Sequence, residues 1–292
     1  MNGSILLIGG GGFVGSAVRD AAARRGIALR AASRPAVDIL SPETLEPAMA
    51  DIDTVIHAAG AAHLFRRTAA GEEWMRRTNV DGTRNVVAAA RRAGARRVVL
   101  VSSVSVYGGG RDAYAESKRQ GEQAAMEEAD HAVALTVLRL ATVYGEGDRG
   151  NVLRLVRAID RGRFVWIGRG TNRKTLIHRH DAGEAIAAAA VSDVSGVFNV
   201  AAPPVTMREI VEAIARALGR RPPRLVVNAR AAMFAARMLG MPALARTIVK
   251  WCSDEVHDGS DFRARFGFEP AVDLQQGIAR EVAWYRTCAS ST

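Results

Sequence analysis

The chain is poor in cysteine, in aromatic residues and, above all, in lysine. Its 292 residues include two cysteines, Cys252 and Cys288. Two thiols make no disulfide framework, so a reducing, cytoplasmic setting is expected. No Cys/His cluster has the spacing of metal ligands, and no metal is expected. Aromatic residues are 5% of the chain, too thin a supply for base-stacking platforms. Nucleic-acid binding is therefore not expected, despite a net charge of +10. No apolar run approaches the roughly 18 residues of a membrane span, and no charged leader precedes the first apolar run. Neither a membrane partner nor a targeting segment is expected.

Of 40 basic residues only three are lysines: Lys118, Lys174 and Lys250. The arginines are scattered as short pairs, such as Arg24-Arg25 and Arg91-Arg92, on apparent helix faces and ends. Against this habit, a lysine closes the stretch Tyr114-Ala115-Glu116-Ser117-Lys118. Lysine is a compact ammonium with rotating donors, whereas arginine is a fixed fork. Residues four apart on a helix share a face. An ammonium beside a phenol favours phenolate, so the pair predicts a Tyr114 pKa lowered toward neutrality and usable in acid/base work.

At the other landmark, Ile5-Leu6-Leu7-Ile8 reads as a buried strand. It enters Gly9-Gly10-Gly11-Gly12-Phe13-Val14-Gly15, with a helical pattern following. Glycines at this spacing permit a tight strand-to-helix turn, and the helix start offers free N–H groups to a pyrophosphate.

Strands are predicted near 4–8, 28–33, 53–57, 97–102 and 133–140, and helices near 13–25, 72–93, 113–129, 149–161 and 180–191. This alternation predicts an α/β fold, a Rossmann-like doubly wound parallel sheet with right-handed crossovers. Beyond about residue 142, prolines punctuate shorter segments. A dinucleotide-binding domain is expected over 1–145 and about 175–202, and a smaller mixed carboxy-terminal substrate lobe over about 146–174 and 203–292. The strand Val98–Val101 ends at Ser102-Ser103. Ligands sit beyond the carboxyl ends of such strands. Ser103 there either caps a turn or bonds a substrate oxygen.

Six motifs occur in order: the glycine turn, Asp38-Ile39, Val55-Ile56-His57-Ala58-Ala59, Asn79-Val80-Asp81-Gly82-Thr83, Ser102 to Gly108, and Tyr114 with Lys118. The series closely resembles the extended short-chain dehydrogenase/reductases, the NAD(P)-dependent nucleotide-sugar epimerase/dehydratase group. Leu138 to Gly145, Asn172 to His178 and Phe266 to Pro270 fit the same resemblance, which covers almost the whole chain.

The resemblance implies roles. Tyr114 is the general acid/base, Lys118 holds the nicotinamide ribose, and Ser103 is the assisting hydroxyl. Gly9, Gly12, Phe13, Val14, Gly15, Asp38, Ile39, Ala58, Ala59, Gly60, Asn79, Ser102 and Leu140 line the cofactor. Asn79 has a second reading, as the residue that bends a helix. His63, Ser105, Thr142, Asn151, Arg173 and Lys174 are the candidate substrate contacts, with Trp166 a further candidate for a base pocket. The pair Arg173-Lys174 either meets a diphosphate or is a solvated charged pair. Family members pair long helices across a two-fold axis, implying a homodimer built on 72–93 and 113–129.

The cofactor is NAD or NADP. The second strand ends in Ala31-Ala32-Ser33-Arg34 without an acid to bind a ribose 2′-hydroxyl, and Arg34 suits a 2′-phosphate; this leans to NADP. Val104 and Ser105 replace the acid pair of the dehydratases, which disfavours water elimination. The expected activity is a UDP-hexose or UDP-N-acetylhexosamine 4-epimerase. The alternatives are an NADPH-dependent 4-ketoreductase of a nucleotide-linked deoxysugar and, from another class, a non-catalytic NAD(P)-binding sensor or RNA-associated protein. Ser103 and Tyr114 are only 11 residues apart, a shorter loop than in most relatives, which predicts a more open crevice on that side.

Overall fold

The computed structural model describes residues 4–62, 68–108, 112–238, 240–241, 245, 248–249 and 251–289. The chain divides into two compact units. The first contains Met1–Val143, Arg179–Ala201 and Asp258–Pro270; the second contains Tyr144–His178, Ala202–His257 and Ala271–Thr292.

The first unit is built on a six-stranded parallel sheet. Its elements are β1 (Ile5–Ile8), α1 (Phe13–Arg24), β2 (Leu29–Ala32), α2 (Pro42–Ala48), β3 (Thr54–His57), α3 (Ala69–Arg76), α4 (Gly82–Arg92), β4 (Arg97–Ser103), α5 (Ala113–Ala129), β5 (Ala134–Leu140), α6 (Arg179–Ala190), β6 (Gly196–Val200) and α7 (Ser260–Phe266). The strand order is β6-β5-β4-β3-β1-β2, and every pairing is parallel. β1 and β3 are buried throughout, because helices cover both faces of a doubly wound sheet. β2 is the edge strand and keeps Arg30 and Ala31 exposed.

The helix read over 72–93 runs from Ala69 to Arg92 and is interrupted by a π-helical turn, Arg77–Asp81. The side chain of Asn79 in that turn is satisfied from outside the helix. Its Nδ2 donates to Ala61 O (2.9 Å) and Ser117 Oγ (2.9 Å), and its Oδ1 accepts from Ala61 N (2.8 Å). These bonds offset the distorted ladder, as at other π-bulges.

Two elements depart from the sequence reading. β6 was not predicted; Gly-Val-Phe-Asn-Val is short, and only Phe198 and Val200 are buried. Residues 258–270, assigned by sequence to the lobe, belong to the first unit. The cause is aromatic packing. Phe262 stacks on Phe266 at 4.4 Å and meets Phe198 of β6 at 6.2 Å, and Phe268 lies edge-on to Phe262 at 5.4 Å.

In the second unit, Met207–Ala217 carries a full capping box between Thr206 and Glu209. It packs with Asn151–Asp160 and Leu274–Ala289 around Val156, Ile210, Ile214 and Ile278.

Candidate active site

The glycine turn places backbone where side chains cannot go. Gly9 has φ of +90°, and a Cβ there would lie 2.5 Å from Ala59 N. A Cβ on Gly15 would lie 2.1 Å from Gly9 O. Gly9 N donates to Ala32 O and Gly12 N to Gly9 O, which draws β1, β2 and the start of α1 together. Gly12 caps α1 without a side-chain bond. Phe13, Val14 and Gly15 thus begin the helix with first-turn amides that need an external acceptor, and the bare backbone lets an anion approach. Ala58, Ala59 and Gly60 follow β3 beside this turn. Residues of this kind fit the pyrophosphate of a dinucleotide.

Two strands along the sheet from β1, β4 ends in Ser103. The Ser103 hydroxyl accepts from Ser105 N (3.2 Å) and faces the Tyr114 phenol closely enough to oppose the rise of its pKa. Tyr114 is held at the start of α5, where Asp112 accepts from its backbone N–H (3.1 Å). One turn on, Lys118 Nζ donates to Val101 O of β4 (2.8 Å). Ser103, Tyr114 and Lys118 therefore gather at the carboxyl end of β4.

The electrostatics differ from the sequence reading. Burial raises the Tyr114 pKa, the Ser103 hydrogen bond opposes this, and Asp112 adds to the rise. The expected lowering by Lys118 is absent, because that ammonium is turned to a backbone carbonyl. Burial also brings Lys118 down to about 8, against the pull of Glu122.

Glu122 is the residue that sequence reasoning missed. It is 3% exposed and lies one turn beyond Lys118. It accepts from Ser102 Oγ and takes a forked pair of bonds from Arg139 (Nη2 at 2.6 Å, Nε at 3.0 Å). Arg139 also donates to Tyr107 Oη (2.8 Å), which reaches Asn199 Oδ1 (3.0 Å). The available signal was its i+4 spacing from Lys118, hidden in a helix with several exposed carboxylates.

Other candidate residues have settled positions. Ser102 is buried with its hydroxyl committed to Glu122, and Asn79 is committed to Ala61 and Ser117, so both act here as supports rather than as open cofactor donors. Ile39 packs its side chain in the core against Gly82, while Asp38 caps a turn by accepting from Leu40 N. Leu140 ends β5 and is buried. Arg34 is exposed just beyond β2, and neighbouring Ser33 comes within 3.8 Å of a Cβ built on Gly11. Ser105 Oγ is buried without a partner, next to Ser103. Thr142 is exposed in the first unit. Asn151 and Arg173 are exposed in the second unit, and Trp166 is buried there. Lys174 is buried and paired with Glu255 (3.0 Å), so of its two sequence readings, diphosphate contact or solvated pair with Arg173, the solvated pair does not hold. His63 lies outside the described residues, as does the centre of the Ser103–Tyr114 loop.

Residues 5–201 match the model of the NAD dependent epimerase/dehydratase family. The chain belongs to this family. Among curated relatives, N-acetyl-alpha-D-glucosaminyl-diphospho-ditrans,octacis-undecaprenol 4-epimerase of Escherichia coli O157:H7 is 30% identical, over 77% of this chain and 75% of the relative. A 2-alkyl-3-oxoalkanoate reductase of Stenotrophomonas maltophilia is 28% identical, over 94% and 97%. Among solved structures, the Thermotoga maritima UDP-glucose 4-epimerase with UDP-glucose superposes with a TM-score of 0.77 at 20% identity, covering 98% of this chain and 99% of that one. MoeE5 in complex with UDP-glucose and NAD gives 0.73 at 25% identity, covering 98% and 100%. The epimerase/dehydratase family member described here is thus an NAD-dependent enzyme of the extended short-chain type, with the Rossmann-like sheet of that group.

Proposed function

We propose that this enzyme is a 4-epimerase of a UDP-hexose or UDP-N-acetylhexosamine. The observation that carries this is the convergence of Ser103, Tyr114 and Lys118 at the end of β4. The bound dinucleotide supplies the hydride acceptor and donor. Tyr114 Oη takes the proton of the sugar 4-hydroxyl, and Ser103 hydrogen-bonds the same oxygen to hold it in line. Lys118 binds the nicotinamide ribose and, once turned from Val101 O, favours the phenolate. Returning the proton from Tyr114 completes either outcome, so the active-site residues serve both faces of the ketone. Arg173 is the cation assigned to the diphosphate. The relative that acts on an N-acetylglucosaminyl diphosphate supports the N-acetylhexosamine choice.

A second reading, an NADPH-dependent 4-ketoreductase, is favoured by Arg34 and the missing acid after β2. The test is the cofactor. Protein that retains NAD and interconverts C4 epimers without added dinucleotide fits the epimerase. Stoichiometric NADPH consumption fits the reductase. In either case Tyr114→Phe is expected to lower turnover by about a hundredfold or more while dinucleotide binding persists. Unchanged turnover would remove Tyr114 from the chemistry. Arg34→Ala is expected to weaken NADPH roughly tenfold and NADH little, read by fluorescence titration. The assembly is read as a homodimer through α3, α4 and α5, where Trp74 and Met126 are exposed. Light scattering at working concentration decides it.

A further inference from the structure

The second unit contains a stretch with no acidic residue at all. Between Glu212 and Asp254 there is no Asp or Glu, but there are Arg216, Arg220, Arg221, Arg224, Arg230, Arg237, Arg246 and Lys250. Most of the chain's net charge of +10 can be traced to this one segment. Several arginines of the rest of the chain are matched: Arg24 and Arg25 pair with Glu184, Arg76 with Glu73 and Asp81, and Arg139 with Glu122. Here Arg220 reaches Asp160 from another element. Among the described residues, the guanidiniums of Arg221, Arg224, Arg230 and Arg237 are exposed and meet no carboxylate.

The same segment exposes large apolar side chains. Phe234 is 67% exposed, Met238 72% and Leu225 64%. On the helix Ala229–Met238, Ala236 is buried, whereas Arg230, Phe234, Arg237 and Met238 are exposed, and exposed Met241 follows the helix. Spacings of four, seven and eight residues from Arg230 place Phe234, Arg237 and Met238 on its side of the helix at helical period. Next to this helix in sequence lies an open groove of about 530 Å³, lined by Phe164, Val165, Leu225, Arg221 and Arg224 among others.

A face that mixes Phe and Met with unpaired arginines needs a partner that is apolar and anionic together. A second copy of this net-basic chain supplies the apolar contact but adds positive charge to the face. Nucleic acid supplies the charge but leaves Phe234 and Met238 in water. The boundary between phosphate headgroups and acyl chains supplies both, with arginines reaching back to phosphates while apolar tips enter the chains. No helix among the described residues is long and apolar enough to cross a membrane.

We infer that this face of the second unit docks on an anionic phospholipid bilayer, with the helix Ala229–Met238 lying in the plane of the headgroups. The docking does not depend on which sugar the enzyme handles.

The experiment is vesicle flotation of the full chain with phosphatidylglycerol-containing vesicles and with vesicles of phosphatidylcholine alone. Binding is expected to the anionic vesicles, to fall with added salt, and to be weak or absent on the neutral ones. The double variant Phe234→Glu with Met238→Glu is expected to lose about tenfold or more in vesicle affinity. Arg230→Glu with Arg237→Glu is expected to do the same. All four side chains are exposed, so circular dichroism and dinucleotide binding should match the parent and show that the variants are folded. No binding to anionic vesicles overturns the proposal. So does equal binding to neutral vesicles, or double variants that float like the parent. A Phe234/Met238 variant that turns a dimer into a monomer and leaves flotation unchanged would assign the face to a second copy of the chain instead. RNA retention without flotation would assign it to nucleic acid.

Discussion

Lys118 shows how a single residue's charge state can be set by what lies one helical turn away. Burial brings its ammonium to about 8, and the Glu122 carboxylate opposes that fall. A catalytic role that needs the cation therefore weakens as pH rises past about 8, and kcat/KM is expected to decline there. Replacing Glu122 with Gln removes the opposing charge. The alkaline limb of the pH profile is then expected to move to lower pH, while Tyr114→Phe leaves no profile to measure. An unmoved limb would show that Glu122 acts only through packing. The Tyr114-to-Lys118 pair was legible because lysine is so rare in this chain. The direction of the Tyr114 pKa was not, since sequence spacing cannot reveal that Lys118 donates to Val101 O or that desolvation outweighs the Ser103 contact at the phenol.

Among the elements, the glycine turn and the bent helix are fixed by close contact. A Cβ on Gly121 of α5 would lie 2.3 Å from Asn79 O in the π-helical turn. Backbone must shift to admit it, so Gly121→Ala is expected to lower stability by about 1–3 kcal/mol, measured by urea unfolding. Truncating Phe262, which is 1% exposed and packs against three other phenylalanines, is expected to lower it by about 3–5 kcal/mol in Phe262→Ala. The alternation of strands and helices was readable from apolar runs, since β1, β3 and β4 are almost wholly buried. β6 and α7 were not, because their partners are far apart in sequence and neither carries a long apolar run. Glu122 escaped notice for a similar reason, as its partner Arg139 lies on a strand and only the fold joins them.

For the whole molecule, the pH response of stability should carry the mark of Glu281 in the second unit. Its carboxyl is pushed up to about 8 by burial and by Asp148 and Glu146, although Gly145 N donates to it. Between the ordinary 4.5 and about 8 the native state holds a proton that the unfolded chain has released, so this group makes stability fall as pH rises through that window. Glu281→Gln is expected to flatten the decline, seen as a smaller loss of Tm between acid and neutral buffer. A parallel decline in both proteins would point to another group. The first unit itself is assembled from three separated stretches, and the last begins at Asp258. A growing polypeptide leaving the ribosome thus produces most of the second unit before Phe262 and Phe268 arrive to cover Phe198. The sheet's outer strand must wait, partly bare, through synthesis of some sixty residues. Any fragment cut before Asp258 should keep that apolar edge open and clump, however intact its nucleotide turn.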